Sequence, residues 1–305
     1  MESFDFSSVK VRRLAGLVFL YLLAILLGFE IFISVSGTYR EEALYQVVGG
    51  SVAYLVPVLW IWRKFSKKGV TIRNYFFQTA EKHWIQWRHI LLITGVLLFF
   101  ALGVFILTYI PLSHYLPAYV QSILEDKLIY TQKDSAFPLI ANIIDFLMGA
   151  LLAPVVEELV FRGIMLKRFM IKWKVTTSVI VSSAIFGILH FDLIGAFVFG
   201  LFMSILYLKT KSLVVPTLCH VLNNSLAFGF TYIEFWITGK EELYTIAQLR
   251  SDLWLGGLFF AMTLPCIAYY LYKHWKPKEW ETAFRTGEVA ENANHAEDEV
   301  NQVKA

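Results

Sequence analysis

The chain has 305 residues, of which 57% are hydrophobic and 17% charged, with a net charge of +3 and a mean hydropathy of +0.58. A soluble domain carries roughly 25% charged residues, so this composition excludes an ordinary soluble enzyme and points to an integral membrane protein. The small net charge leaves no basic footprint for nucleic acid. The two cysteines, Cys219 and Cys266, both fall in apolar runs and make neither a disulfide framework nor a metal motif. Cys219 reads as a small buried hydrophobe.

Length then sets the number of spans, since roughly 20 apolar residues cross a bilayer. Runs of suitable character lie at about 14–34, 43–62, 90–110, 137–166, 176–191, 193–208, 213–231 and 253–272. The expected fold is all-α, a polytopic membrane protein of about eight transmembrane helices. The fifth and sixth runs are short and separated only by His190, Phe191 and Asp192. The first run follows Lys10, Arg12 and Arg13 but is too long for a cleaved signal peptide, so it reads as a retained helix. Residues 70–89 mix charges with aromatics and read as an amphipathic segment on the membrane surface. Residues 1–285 are expected to form one transmembrane domain, its motif core at about 137–231, and 286–305 an acidic, disordered cytoplasmic tail.

Every second loop is basic. Arg63, Lys64, Lys67 and Lys68 follow the second run, Lys167, Arg168, Lys172 and Lys174 the fourth, and Lys209 and Lys211 the sixth. Lys273, Lys276 and Lys278 follow the eighth, whereas Glu41, Glu42, Glu125, Asp126, Glu241 and Glu242 occupy intervening loops. The positive-inside rule places both termini in the cytoplasm, most simply at the cell membrane.

Ionisable residues inside spans are expensive and mark functional sites by default. The fourth run carries Asp145, Glu157, Glu158 and Arg162, the fifth ends in His190 and Asp192, and the seventh carries His220, Asn223 and Asn224. Glu158 and Arg162 are four residues apart, share a helix face and can pair; a buried ion pair explains these two by itself. Glu157 points about 100° away and needs a partner from another helix, for which His190 and His220 both qualify. His220 and Asn224 also share a face. A carboxylate, two imidazoles and an amide suffice for a base, a group that tunes it and donors for an oxyanion. Asn223 and Asp192 read as structural, and Glu30 and Asp145 as capping or water-lining groups.

Three stretches carry a resemblance. "EELVFR" (Glu157–Arg162) resembles the EExxxR motif of the CAAX-prenyl-protease and bacteriocin-processing family of intramembrane proteases, "FGILH" (Phe186–His190) its FxxxH motif, and "HVLNN" (His220–Asn224) its HxxxN motif. The resemblance covers roughly residues 150–228. It implies an eight-helix fold with an active site inside the membrane and an endopeptidase acting on a membrane-associated peptide or protein. It also implies that Glu157 and His190 activate a water, that His220 and Asn224 stabilise the oxyanion, and that Glu158, Arg162 and Phe186 support the site.

One Glu and two His, here Glu157, His190 and His220, also match a catalytic zinc ligand type. HExxH is absent, however, and Asn224 beside His220 suits an oxyanion hole, so a glutamate-dependent hydrolase without metal is favoured. The alternative function is a non-catalytic immunity or scaffold protein that binds a peptide or partner. A transporter would call for matched broken helices in two halves, whereas the polar residues cluster in the fourth to seventh runs. Depth is the weak point. Counted at 1.5 Å per residue from the flanking lysines, Glu157 lies about 15 Å deep, His220 about 14 Å and Asn224 about 20 Å, but His190 about 24 Å. A fifth helix starting late, near Ser178, or a tilted one would reconcile them.

Overall fold

In hydrocarbon each unpaired backbone N–H or C=O costs several kcal/mol, so apolar runs of this length fold as helices that satisfy their own backbone. The computed structural model describes residues 6, 9–17, 20, 42–77, 86–125, 129–131, 138–238 and 244–282, and among them every regular element is helical. After a helical stretch at 11–17, these are in chain order α1 (Glu42–Ser66), α2 (Ile72–Phe76), α3 (Trp87–Tyr115), α4 (Pro117–Leu124), α5 (Pro138–Met170), α6 (Val175–Ile188), α7 (Leu193–Thr210), α8 (Val214–Thr238), α9 (Ile246–Ser251) and α10 (Leu253–His274). A last short helix covers 277–282.

The all-α membrane architecture is as expected, but the count of eight spans is not reached among the described residues. Four helices there are long and apolar enough to cross a membrane: α3, α5, α7 and α10. Helices α1 and α8 have 25 residues each, and the apolar character of α8 is diluted by His220, Asn223 and Asn224. The 14 residues of α6 advance about 21 Å, short of the roughly 30 Å hydrocarbon core. The fifth run is therefore a partial span that stops at Ile188, two residues before His190. The greater part of the first run, with Glu30, and the acidic tail lie outside the described residues.

Three apolar clusters stack along the molecule. One, at the basic end, gathers Phe65, Phe76, Leu166, Met170 and Trp280. Phe76 is fully buried against Phe65 and Phe6, so this part of the 70–89 segment is packed into the protein rather than resting on the membrane. Lys167 sits over the rings of Phe6 and Phe76 at 5.1 and 5.3 Å, a cation–π arrangement that ties the α5 terminus to this cluster. The middle cluster packs α3, α5, α6, α7 and α8 around Phe186, Phe199, Phe202 and Met203. The third joins α3, α4 and α9 through Tyr109, Val120 and Leu249.

Helices α6 and α7 form a tight hairpin. The backbone N–H of Val175, one of the unpaired donors at the start of α6, is satisfied by Glu281 Oε2 at 2.8 Å. Asp192 caps α7 by accepting from Gly195 N at 3.0 Å, and Tyr109 donates to the Phe191 carbonyl at 2.7 Å, so the turn inside the membrane keeps its polar groups paired. Gly187 brings the helices together: a Cβ there would lie 2.6 Å from the Leu193 carbonyl oxygen and 3.1 Å from Phe197 N. Gly187→Ala should therefore cost about 1–3 kcal/mol through overpacking and lower the Tm in detergent. Gly95→Ala, where a Cβ meets nothing within 4 Å, should leave it unchanged. Equal Tm values for the two variants would show that the hairpin is not held this way.

Candidate active site

Helix α5 carries Glu157, Glu158 and Arg162 and is not a uniform α-helix. Its turns at Phe146–Leu152 and Leu159–Leu166 are π-helical, flanking an α-helical turn at Ala153–Glu158. Pro154 has no N–H to donate, and the backbone N–H of Ala153 reaches back five residues to Met148 O, the wider π pattern. The two adjacent carboxylates thus sit at a seam between helix types.

Glu158 points inward. It is fully buried and accepts from Arg162 Nη1 at 2.8 Å, as the four-residue spacing predicts. Arg162, equally buried, also donates to the Gly200 carbonyl on α7 at 3.2 Å, and its guanidinium carbon stands 4.6 Å from the Phe186 ring centroid. The sequence did not announce the next contact: the same Oε1 of Glu158 lies 2.9 Å from His220 Nδ1. Glu158 therefore links α5 internally and also holds the imidazole of α8. With the carboxylate ionised against Arg162, Nδ1 of His220 carries the proton and Nε2 faces outward.

Glu157 points to the other side and keeps 19% of its side chain exposed. Its Oε2 is 3.9 Å from His190 Nε2 and 3.8 Å from His220 Nε2, so both histidines that qualified by spacing do face it. These separations exceed a direct hydrogen bond but suit one bridging oxygen. The Nδ1 of His190 meets the Phe186 carbonyl at 2.7 Å. A carbonyl can only accept, so Nδ1 holds a proton and Nε2 is the nitrogen turned toward Glu157. Phe186 contributes its ring to Arg162 and His190 and its carbonyl to the histidine tautomer.

Asn224 shares the His220 face but is tied elsewhere. Its amide donates to the Gly149 carbonyl in the first π-helical turn at 3.0 Å, and its Oδ1 accepts from Asn223 at 3.4 Å. One amide hydrogen remains. Tyr54 on α1 is the residue that sequence reasoning missed: its hydroxyl donates to Glu157 Oε1 at 3.3 Å. A tyrosine within an apolar run is a visible signal, but nothing local ties it to Glu157, 103 positions away.

The depth discrepancy narrows on counting alone. Helix α6 starts at Val175, so the late start is ruled out. Helix α5 instead continues to Met170, which sets the connection to α6 about 5 Å beyond Lys167. His190 lies in the turn after Ile188 and gains no helical rise there. The 21 Å advance of α6 less this offset gives about 16 Å, against about 15 Å for Glu157.

The zinc alternative meets a geometric test. Neighbouring ligands on a tetrahedral zinc at about 2.1 Å stand about 3.4 Å apart, and the 3.8–3.9 Å separations here are wider. Among the described residues no group of three His, Cys, Asp or Glu side chains is gathered closely enough to hold a metal ion.

The Glu158–Arg162 pair yields a stability test. Arg162→Met should cost about 3–5 kcal/mol, because it strands a buried carboxylate. Combining it with Glu158→Gln should recover much of that loss in a double-mutant cycle of unfolding free energies. Additive losses would mean the two groups do not act as a pair.

Comparison with known proteins adds an independent observation. Residues 139–226 match the Rce1-like family, described as "Type II CAAX prenyl endopeptidase Rce1-like". Over 117 residues the chain is 30% identical to "Putative membrane peptidase YdiL" of Bacillus subtilis (strain 168), an alignment covering 37% of this chain and 46% of that relative. The match thus spans about half the relative's length. No solved structure matches the chain. The family match contains Glu157, Glu158, Arg162, His190, His220 and Asn224, and over that segment the chain is similar to the Rce1-like CAAX prenyl endopeptidases, as its three motifs announce.

Proposed function

We propose that this protein is an intramembrane endopeptidase that hydrolyses a peptide bond in a membrane-associated peptide or protein. The observation that carries this reading is the convergence of His190, from the α6–α7 turn, and His220, from α8, on one oxygen of Glu157, each at a distance that leaves room for a water.

Glu157 is the general base. A water held between its Oε2 and His190 Nε2 attacks the scissile carbonyl carbon, and Glu157 takes the water proton. Tyr54 holds the other carboxylate oxygen, so that Oε2 is the one presented. The carbonyl oxygen becomes an oxyanion, stabilised by His220 Nε2 and by the second amide hydrogen of Asn224. Because Nδ1 of His220 is engaged by Glu158, Nε2 donates only when the ring is doubly protonated. Two carboxylates, Arg162 and an imidazolium at His220 sum to zero charge, the balance that a site in hydrocarbon favours. The intermediate collapses as the C–N bond breaks, Glu157 returns its proton to the leaving amine, and a free acid and a free amine result. Glu158, Arg162 and Phe186 position His220 and His190 without touching the substrate. On this reading the partner is a membrane-associated peptide or protein. Because the residues fit zinc poorly, no step is routed through a metal.

Glu157→Gln should fold with the wild-type Tm and lose about 10²–10⁴-fold in cleavage rate. Tyr54→Phe should lose less, roughly tenfold, because it only positions the base. A peptide found cut in cells with the wild-type protein and uncut with Glu157→Gln would identify the substrate; a variant as active as wild type would remove Glu157 from the mechanism. Purified enzyme should keep its activity after exhaustive chelation. Loss on chelation with rescue by zinc would overturn the metal-independent reading.

A further inference from the structure

Away from Glu157, the molecule has a second concave feature, a groove of about 500 Å³ between α3, α7, α8 and α10. Its floor is apolar and buried: Phe202, Leu206, Val215 and Cys219. Its rims are open to the side, with Leu92 64% and Tyr269 63% exposed. On spanning helices such rims face lipid rather than water. The groove runs from His89 to Val96 on α3, about 10 Å along the axis, against about 15 Å for one leaflet.

One end of the groove is cationic. Lys273, His274 and His89 line it. Lys209 Nζ stands 2.7 Å from His274 Nδ1, and Lys273 and Lys276 are near enough to act on Lys209 electrostatically. Among the described residues Glu279, exposed, pairs with Lys276 at 2.9 Å. Lys209 and Lys273 belong to the last turns of α7 and α10, the level at which headgroups lie. The groove also takes in Tyr270, whose hydroxyl is buried with no hydrogen-bond partner among the described residues while its ring stacks on Phe202 at 4.4 Å.

We propose that this groove is a binding site for a single anionic phospholipid, its phosphate at Lys209 and Lys273, an acyl chain on the Phe202–Cys219 floor, and an ester oxygen accepting from Tyr270. An apolar body with a cationic end matches an amphiphile of that charge. A free phosphate would use only the end, and a neutral lipid only the body. Cys219 immediately precedes His220, so the bound lipid supports the helix that carries the site.

The test uses the full chain purified in detergent and exposed to an equimolar mixture of phosphatidylglycerol and phosphatidylcholine, with retained lipid read by native mass spectrometry. Wild type should retain phosphatidylglycerol roughly tenfold over phosphatidylcholine, and Lys209→Ala with Lys273→Ala should abolish that preference. Lys273→Arg should keep it. Cys266→Trp, at an exposed lining position, should reduce retention of phosphatidylglycerol while leaving the cations and the Tm unchanged. Equal retention of the two lipids by wild type, or displacement of phosphatidylglycerol by inorganic phosphate alone, would overturn the proposal. None of these readouts depends on peptide cleavage.

Discussion

The arrangement depends on one buried oxygen. Oε1 of Glu158 receives Arg162 from its own helix and His220 from α8, and all three groups are removed from solvent. A carboxylate in that position is tolerable only while paired; its Oε2 and Arg162 Nε have no hydrogen-bond partner among the described residues, so the pair rests on Oε1 and Nη1. Arg162 spends one donor on Gly200 of α7 and lays its plane beside Phe186 of α6. The charge pair therefore reaches four helices; it fixes the ring of His220 directly and packs on Phe186, whose carbonyl holds His190. What a sequence reading takes for a brace within one helix is a junction among helices.

Position along the membrane follows from smaller features. Helix α6 is too short to cross, and its turn ends at the level of Glu157 because α5 overshoots Lys167 by one turn before the chain reverses. The close approach at Gly187 and the Asp192 cap hold that turn with its backbone groups paired. The π-helical turns on either side of Glu157 do related work. They shift the register of α5 around Pro154 and present the Gly149 carbonyl to Asn224, so that α5 and α8 are linked above the site as well as through it. Such turns recur where a helix must place a side chain off its regular phase.

Much of this was legible in the chain. The all-helical membrane class follows from composition, and the split between Glu157 and Glu158 follows from helical phase, because Arg162 four residues on can serve only one of them. The grouping of Glu157 with His190 and His220 follows from the cost of ionisable groups in hydrocarbon. What was not legible required distances between helices. Spacing gave no reason for His220 to engage Glu158, since the two are 62 residues apart. Tyr54 carries no motif, and Asn224 reads as a free donor until Gly149 is seen beside it. Eight spans are not reached among the described residues for a related reason: hydropathy registers apolar length, whereas α6 ends where its turn is needed, and the polar residues of α8 dilute the apolar signal of their own helix.

The two adjacent glutamates show how environment divides one residue type into two roles. Glu158 has no exposed side-chain surface and shares its oxygen with two donors, so any reaction that moved its charge would unbalance the junction of four helices. Glu157 retains 19% exposure, receives one hydroxyl donor, and faces two imidazole nitrogens across a gap wide enough for an oxygen atom. In the proposed reaction, charge moves from Glu157 onto the oxyanion beside His220, while Glu158, Arg162 and the imidazolium stay as they are. The negative charge travels a few ångströms within a field that the buried residues have already fixed. Preorganisation of that kind avoids the cost of reorienting solvent at the moment of reaction, and in a hydrocarbon surrounding it is the form of charge stabilisation that the fold itself can supply.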